Sequence, residues 1–267
     1  MTENFTSGNL ISVSVFNETM ARYKQARKYL QPFIDMMLER KVIDDHKIPR
    51  NGSAIVVANH RSDVDPFIVT ASLNRYVAFL AADYDFKIPI FGNFLKELGM
   101  IPISAEKKDQ INAFKEVSRV IRAGRLVGIF PEGDTYITDN DFSKRLGDFN
   151  AGFARFALKL KTNVLPVTIL GVKEKVEPWP VPKFLREFLG MPPHIIDVKN
   201  RLAFKEVKVV IGDTIKIDDY LKMPVAEASD KLIAESRAQM VSAIEKHGEI
   251  ERRKLKERQS GTRVIPN

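Results

Sequence analysis

With 267 residues, 44% of them hydrophobic and 28% charged, the chain has room for one large globular domain with helical extensions. It has no cysteine, which excludes disulfides and thiolate chemistry. A net charge of +8 favours an anionic partner: nucleic acid, an anionic membrane or acidic substrates.

Residues 1–17 carry no clear pattern and read as a loose arm, without the basic start and apolar block of a signal peptide. From Glu18 to Val42, Met20, Tyr23, Leu30, Phe33, Ile34, Met37 and Leu38 recur at helical spacing. Arg22, Lys24, Arg27, Lys28, Arg40 and Lys41 lie between them, and Pro32 predicts a kink or two shorter helices. Such a helix either packs on the core or lies on anionic lipid. From about Ile48, short apolar runs alternate with helical patterns. Strands are predicted over Ala54–Ala58, Tyr76–Ala81, Met100–Ile103, Leu126–Phe130, Val164–Leu170 and Val207–Ile211. Helices are predicted over Pro66–Asn74, Asp85–Leu98, Lys107–Ala123 and Ala151–Lys161. Wholly apolar strands separated by helices indicate the α/β class, with a mixed, mostly parallel sheet covered by helices.

Residues 177–195 differ, because prolines bound a short helix whose Phe184, Leu185, Phe188 and Leu189 share a face, with Trp179 beside it. This segment reads either as a membrane-surface element or as a lid packed on the core. From about Asp218 to Arg258 the chain reads helical, and its Arg252-Arg253-Lys254-Leu255-Lys256 is a solvated helix end or a weak lipid contact. No stretch approaches the ~20 apolar residues of a membrane-spanning helix. The predicted organisation is an N-terminal arm and amphipathic helix over 1–47, a catalytic domain over 48–215 and a C-terminal helical tail over 216–267.

His60 ends the run Ser53-Ala54-Ile55-Val56-Val57-Ala58, and Asp65 follows five residues later. Seventy residues on, Phe130-Pro131-Glu132-Gly133 ends another predicted strand. In such sheets, sites form where strand ends meet the following loops, so His60 and Glu132 share one placement. A neutral histidine suits the removal of a proton from a hydroxyl attacking a thioester, because its reference pKa lies near the working pH. Asp65 can accept from the other ring nitrogen, fix the tautomer and stabilise the imidazolium that forms. No Gly-x-Ser-x-Gly elbow is present, so a direct transfer needs fewer parts than a serine nucleophile. A different chemistry would use His60, Asp63 and Asp65 as ligands of a hard cation, although no second cluster with metal-ligand spacing stands out. The basic residues are spread out and no nucleic-acid reader motif appears, so nucleic acid is not expected as a partner.

Asn59-His60-Arg61-Ser62-Asp63-Val64-Asp65 resembles the Asn-His-x-x-x-x-Asp motif of glycerolipid acyltransferases, the 1-acylglycerol-3-phosphate acyltransferase family. Phe130-Pro131-Glu132-Gly133 is similar to that family's Phe-Pro-Glu-Gly. Weaker matches are Lys87–Gly92 with Gly99–Ile103, the segment Phe149–Ala157, and Leu165-Pro166-Val167, so the resemblance covers about residues 50–172. It implies a glycerol-3-phosphate acyltransferase-like fold, an acyl-CoA or acyl carrier protein donor and a lysophospholipid acceptor, without cofactor or metal. The acceptor it suggests first is 1-acylglycerol 3-phosphate. It also implies a peripheral place on the cytoplasmic face of a membrane.

The resemblance makes His60 the general base and Asp65 its orienting partner. Glu132 would contact the acceptor's hydroxyls, and Gly133 would permit close backbone approach. The sequence departs from the family where phosphate ligands are expected. Asp134-Thr135-Tyr136 replaces Thr-Arg, and Ala105 and Ala82 stand where basic residues are usual. Either other cations fill in, with Arg61, Lys107, Lys108, Lys144, Arg145 and Arg155 available, or the acceptor head is not a simple phosphate. The expected substrate contacts are Arg61, Glu132, Gly133, Thr135 and Arg155. The missing cations also leave open a non-catalytic lipid-surface protein that keeps the fold.

Overall fold

A computed structural model describes residues 7–104, 106–134, 142 and 145–259, with side chains over 18–248 of these. A seven-stranded sheet in the order β1-β7-β6-β2-β5-β3-β4 forms its centre. The strands are β1 (Glu39–Ile43), β2 (Ala54–Ala58), β3 (Val77–Ala82), β4 (Ile101–Ile103), β5 (Leu126–Ile129), β6 (Asn163–Pro178) and β7 (Asn200–Ile211). β2 pairs in parallel with both β5 and β6, and β3 pairs in parallel with β5 and β4. β7 runs antiparallel to β6, and β1 runs parallel to β7. The sheet is therefore mixed and mostly parallel, as the apolar runs indicated. All five residues of β2 are buried, which is why that strand reads as a continuous apolar run.

The helices are α1 (Ser7–Met37), α2 (Asp65–Ser72), α3 (Phe91–Glu97), α4 (Lys107–Arg122), α5 (Gly152–Leu160), α6 (Lys183–Phe188), α7 (Pro193–Ile196) and α8 (Val225–Gln259). Right-handed crossovers place helices on both faces. The connections from β2 to β3 and from β3 to β4 move one way along the sheet, and those from β4 to β5 and β5 to β6 move the other. Accordingly α1 packs with α2 and α3, whereas α5 packs with α4 and α8.

The structure differs from the sequence reading in four places. Helix α1 begins at Ser7, inside the segment read as a loose arm, and continues through Pro32 as one element. Burial of Tyr23, Leu30, Ile34 and Leu38 anchors the helix on both sides of the proline. The helix predicted as far as Val42 stops at Met37, and Glu39–Ile43 instead pairs with Glu206–Val210. Pairing on an open sheet edge there outweighs the local helical pattern. The segment Asp85–Leu98 divides into a 3₁₀ turn, Asp83–Lys87, and α3, because Pro89 lies between them. Finally, β6 and β7 run well past their predicted ends as a two-stranded ribbon, Lys173–Pro178 against Glu206–Asn200, mostly polar on β6 and with Leu202 and Phe204 buried on β7.

The ribbon carries α6 and α7 at its tip. Met191, Ile195 and Val198 form a second, small core there, with Tyr84, Ile88, Trp179, Leu189 and Ile196 packed around it. No helix among the described residues is long and apolar enough to cross a membrane.

Candidate active site

The site is built from two loops that leave adjacent parallel strands, β2 and β5. Asn59, fully buried, sets the exit from β2. Its side-chain oxygen accepts the Ile169 N–H at 2.7 Å, and its amide donates to the carbonyls of Ile169 at 3.0 Å and Arg145 at 3.1 Å. The side chain thus does the work of one more strand residue against β6, and the next residue is delivered to a fixed point.

That residue is His60. Its Nδ1 lies 3.0 Å from Asp65 Oδ2. The same oxygen accepts the backbone N–H groups of Arg61 at 2.6 Å and Ser62 at 2.7 Å. Asp65 is fully buried as the first residue of α2. One carboxylate oxygen therefore both closes the loop and orients the imidazole.

The β5 loop holds His60 from the other side. The Phe130 ring stacks on the imidazole at 4.1 Å between centroids and 22° between planes. Phe130 in turn stacks on Phe79 at 5.1 Å. Phe79 lies across Gly128, where any Cβ would overlap its ring, so the glycine in β5 makes the stack possible. Glu132 is buried, and its two oxygens accept the N–H of His60 at 2.9 Å and of Gly147 at 2.6 Å. Burial raises the Glu132 carboxyl above its ordinary range, while these two donors and His60 pull it down. Gly133 turns the chain with φ +68°, a conformation that favours glycine. Glu132 thus holds the His60 amide, while Asp65 holds the imidazole and the two amides that follow it.

Arg61, expected to offer its charge to a substrate, is buried instead. Its guanidinium pairs with Glu174 on the ribbon and donates to the Phe142 carbonyl at 2.8 Å. Its charge is met by a carboxylate before any ligand arrives, so it braces the loop. Arg155 is exposed on α5, and Lys107 and Lys108 are exposed at the start of α4. Thr135, Ala105, Tyr136 and Lys144 lie outside the described residues. The side chains of the basic run Arg252–Lys256 lie outside them too.

The ribbon reaches both site loops. Arg201 donates to Asp63 at 2.8 Å and also bonds Glu177, and Ser62 donates to the Leu202 carbonyl. His194 of α7 meets Asp134 at 2.9 Å, so the acid that departs from the family pattern has a partner at the tip of the ribbon. Asn59 and Phe130 lie inside the two motifs, and their roles could have been read there. Glu174, Arg201 and His194 carry no local signal, because their partners are 113, 138 and 60 residues away. Among the described residues no group of three or more His, Asp and Glu could hold a metal ion. Asp63, offered with His60 and Asp65 as a ligand of a hard cation, pairs with Arg201.

A family model described as Acyltransferase matches residues 39–170. A probable 1-acyl-sn-glycerol-3-phosphate acyltransferase of Mycoplasma genitalium is 27% identical over 178 residues, 64% of this chain and 64% of that protein. A 1-acyl-sn-glycerol-3-phosphate acyltransferase of Borreliella burgdorferi is 32% identical over 132 residues, 48% of this chain and 50% of that one. The chain thus spans less than two thirds of the length of these curated relatives. The crystal structure of the 1-acyl-sn-glycerophosphate acyltransferase PlsC from Thermotoga maritima has the same fold. Its TM-score is 0.57 at 21% identity, covering 84% of this chain and 78% of that one. The motifs around His60 and Glu132 both lie inside residues 39–170, the part of the chain that matches the acyltransferase family model, and the chain is similar to 1-acyl-sn-glycerol-3-phosphate acyltransferases.

Proposed function

We propose that the protein transfers a fatty acyl group from an acyl-CoA or acyl carrier protein thioester to the free hydroxyl of a lysophospholipid. The acceptor favoured by its relatives' names is 1-acylglycerol 3-phosphate, which gives phosphatidic acid. The observation that carries this reading is the His60–Asp65 pair, held at the end of β2 with the ring stacked on Phe130. As the acceptor oxygen attacks the thioester carbonyl, its proton passes to His60 Nε2. Asp65 stabilises the imidazolium, and the π face of Phe130 lies against the same cation. Collapse of the tetrahedral intermediate breaks the C–S bond, and the proton on His60 goes to the departing thiolate. Glu132 keeps His60 in place through its backbone; we assign acceptor contacts to Glu132 and Gly133 from the family resemblance, and add Thr135, beside that motif, and Arg155, an exposed cation, as further acceptor contacts.

The reaction would take place on the cytoplasmic face of an anionic membrane. Tyr29, Phe33, Met36 and Met37 are exposed along α1, with Lys24 and Lys28 beside them, and the chain carries a net charge of +8. An apolar stripe with basic flanks suits a bilayer surface. The test is mass spectrometry of acyl transfer from one acyl-CoA to lysophosphatidate, glycerol 3-phosphate and zwitterionic lyso-lipids. Lysophosphatidate is the expected acceptor, and His60→Ala should lower turnover by ~10²–10⁴. A fully active His60→Ala protein would sink the assignment, and preference for a zwitterionic lyso-lipid would replace the acceptor.

A further inference from the structure

We propose that the tip of the β6–β7 ribbon is a second bilayer-docking element, which inserts Phe184 and Phe188 of α6, together with Ile90, into the lipid interface. The inference rests on the lipid-acceptor reading above. Helix α6 is built as a rigid support. Arg186 is buried on its inner face, donates to the carbonyls of Ile195 at 2.7 Å and Val198 at 2.6 Å, and lies over the Trp179 ring. These bonds tie α6, α7 and Trp179 around the small apolar core. On the outer face, Phe184 and Phe188 stand one helical turn apart with 71% and 84% of their surface exposed.

The third apolar tip is Ile90, 87% exposed. It sits at φ +67°, a conformation that strains a β-branched residue, on the turn whose neighbour Ile88 packs into the same small core. Three large apolar side chains are thus held in water by elements that share one support. Among the described residues, few other large side chains are as exposed.

The chemistry of the surroundings favours lipid as the occupant. Lys183 pairs with Asp197 beside the aromatic face, so the tip brings little charge of its own to an anionic surface, and the whole chain brings +8. The element is also bonded to both site loops through Arg201–Asp63 and His194–Asp134. Docking of this tip would set the His60 loop against the surface that supplies the acceptor.

Trp179 is the only tryptophan in the chain and sits in this element, so its fluorescence reports directly. The intact chain is mixed with vesicles of phosphatidylcholine and phosphatidylglycerol, and emission and co-sedimentation are measured. The expected result is a blue shift, with vesicle partitioning at least about ten-fold weaker for Phe184→Glu/Phe188→Glu. The variant should melt like the parent and keep its turnover on detergent-solubilised acceptor. Unchanged partitioning of that variant overturns the inference, as does a loss confined to Phe33→Glu/Met36→Glu on α1. A parent that dimerises through this face, with the dimer lost in the variant, also overturns it. Phenylalanine-dependent partitioning without acyl transfer to any acceptor would leave the docking element standing and remove the proposed reaction.

Discussion

Replacing Asp65 with asparagine separates the two tasks of this carboxylate. Asp65 Oδ2 accepts from His60 Nδ1 at 3.0 Å and from two backbone N–H groups. An alanine there would strand three donors in a buried site, at ~1–3 kcal/mol each, against a total stability of ~5–15 kcal/mol. Asparagine keeps the shape and a carbonyl oxygen for the Arg61 and Ser62 amides, so the loop should stay closed. The negative charge facing the imidazolium is what disappears. Unit charges at this separation interact by ~5 kcal/mol at an effective dielectric of about 20. As a ceiling, that energy corresponds to ~10⁴ in rate, and solvent reorganisation lowers it. The expected loss in kcat/KM for Asp65→Asn is therefore ~10²–10⁴, carried mainly by kcat with acceptor KM within about three-fold. Release of coenzyme A from an acyl-CoA donor can be followed with a thiol reagent, and a chain without cysteine adds no background. An Asp65→Asn protein with a normal thermal transition and parental kcat/KM would refute the role given to this carboxylate.

Three further outcomes are expected, the first two at the supports around His60. In Gly147→Ala the new Cβ would lie 2.6 Å from Glu132 Oε2, so the carboxylate must shift and loosen its grip on the His60 amide. Turnover should fall by about ten-fold or more while the fold persists, and unchanged kinetics would show that the Glu132 clamp is dispensable. Gly128→Ala forces the Phe79 ring away from β5, which should destabilise the protein by ~1–3 kcal/mol. Adding Phe79→Leu should recover part of that loss in thermal melts, and a double variant no better than the single one would place the strain elsewhere. Burial first, then Asp63 and Asp83, push the Asp85 carboxyl from 3.8 to about 7. A folded-state value above the unfolded one means that stability is full below about pH 4 and is lost as pH rises to about 7. Asp85→Asn should match the parent near pH 4 and melt higher than it at pH 8, whereas parallel curves of Tm against pH would contradict the shift.

The sequence alone determined the local parts of this protein. Residues buried on both faces make β2 a continuous apolar run, so its bounds were legible, and amphipathic spacing placed α4 and α5 within about a residue or two. His60 and Glu132 could be assigned to strand ends because the strands themselves were visible. The tertiary structure alone decided which long-range partners meet. Glu39–Ile43 is a strand because β7 offers an edge about 165 residues later, and no local period reports an edge. The polar half of β6 pairs only with β7, so no buried face marked it. Arg61 looked like an available cation until the fold brought Glu174 to it, and Asp134 looked like an added acid facing the substrate until the fold brought His194 of α7 to it. Side-chain period reports which face is buried, whereas charge pairing and strand pairing depend on where distant segments are folded.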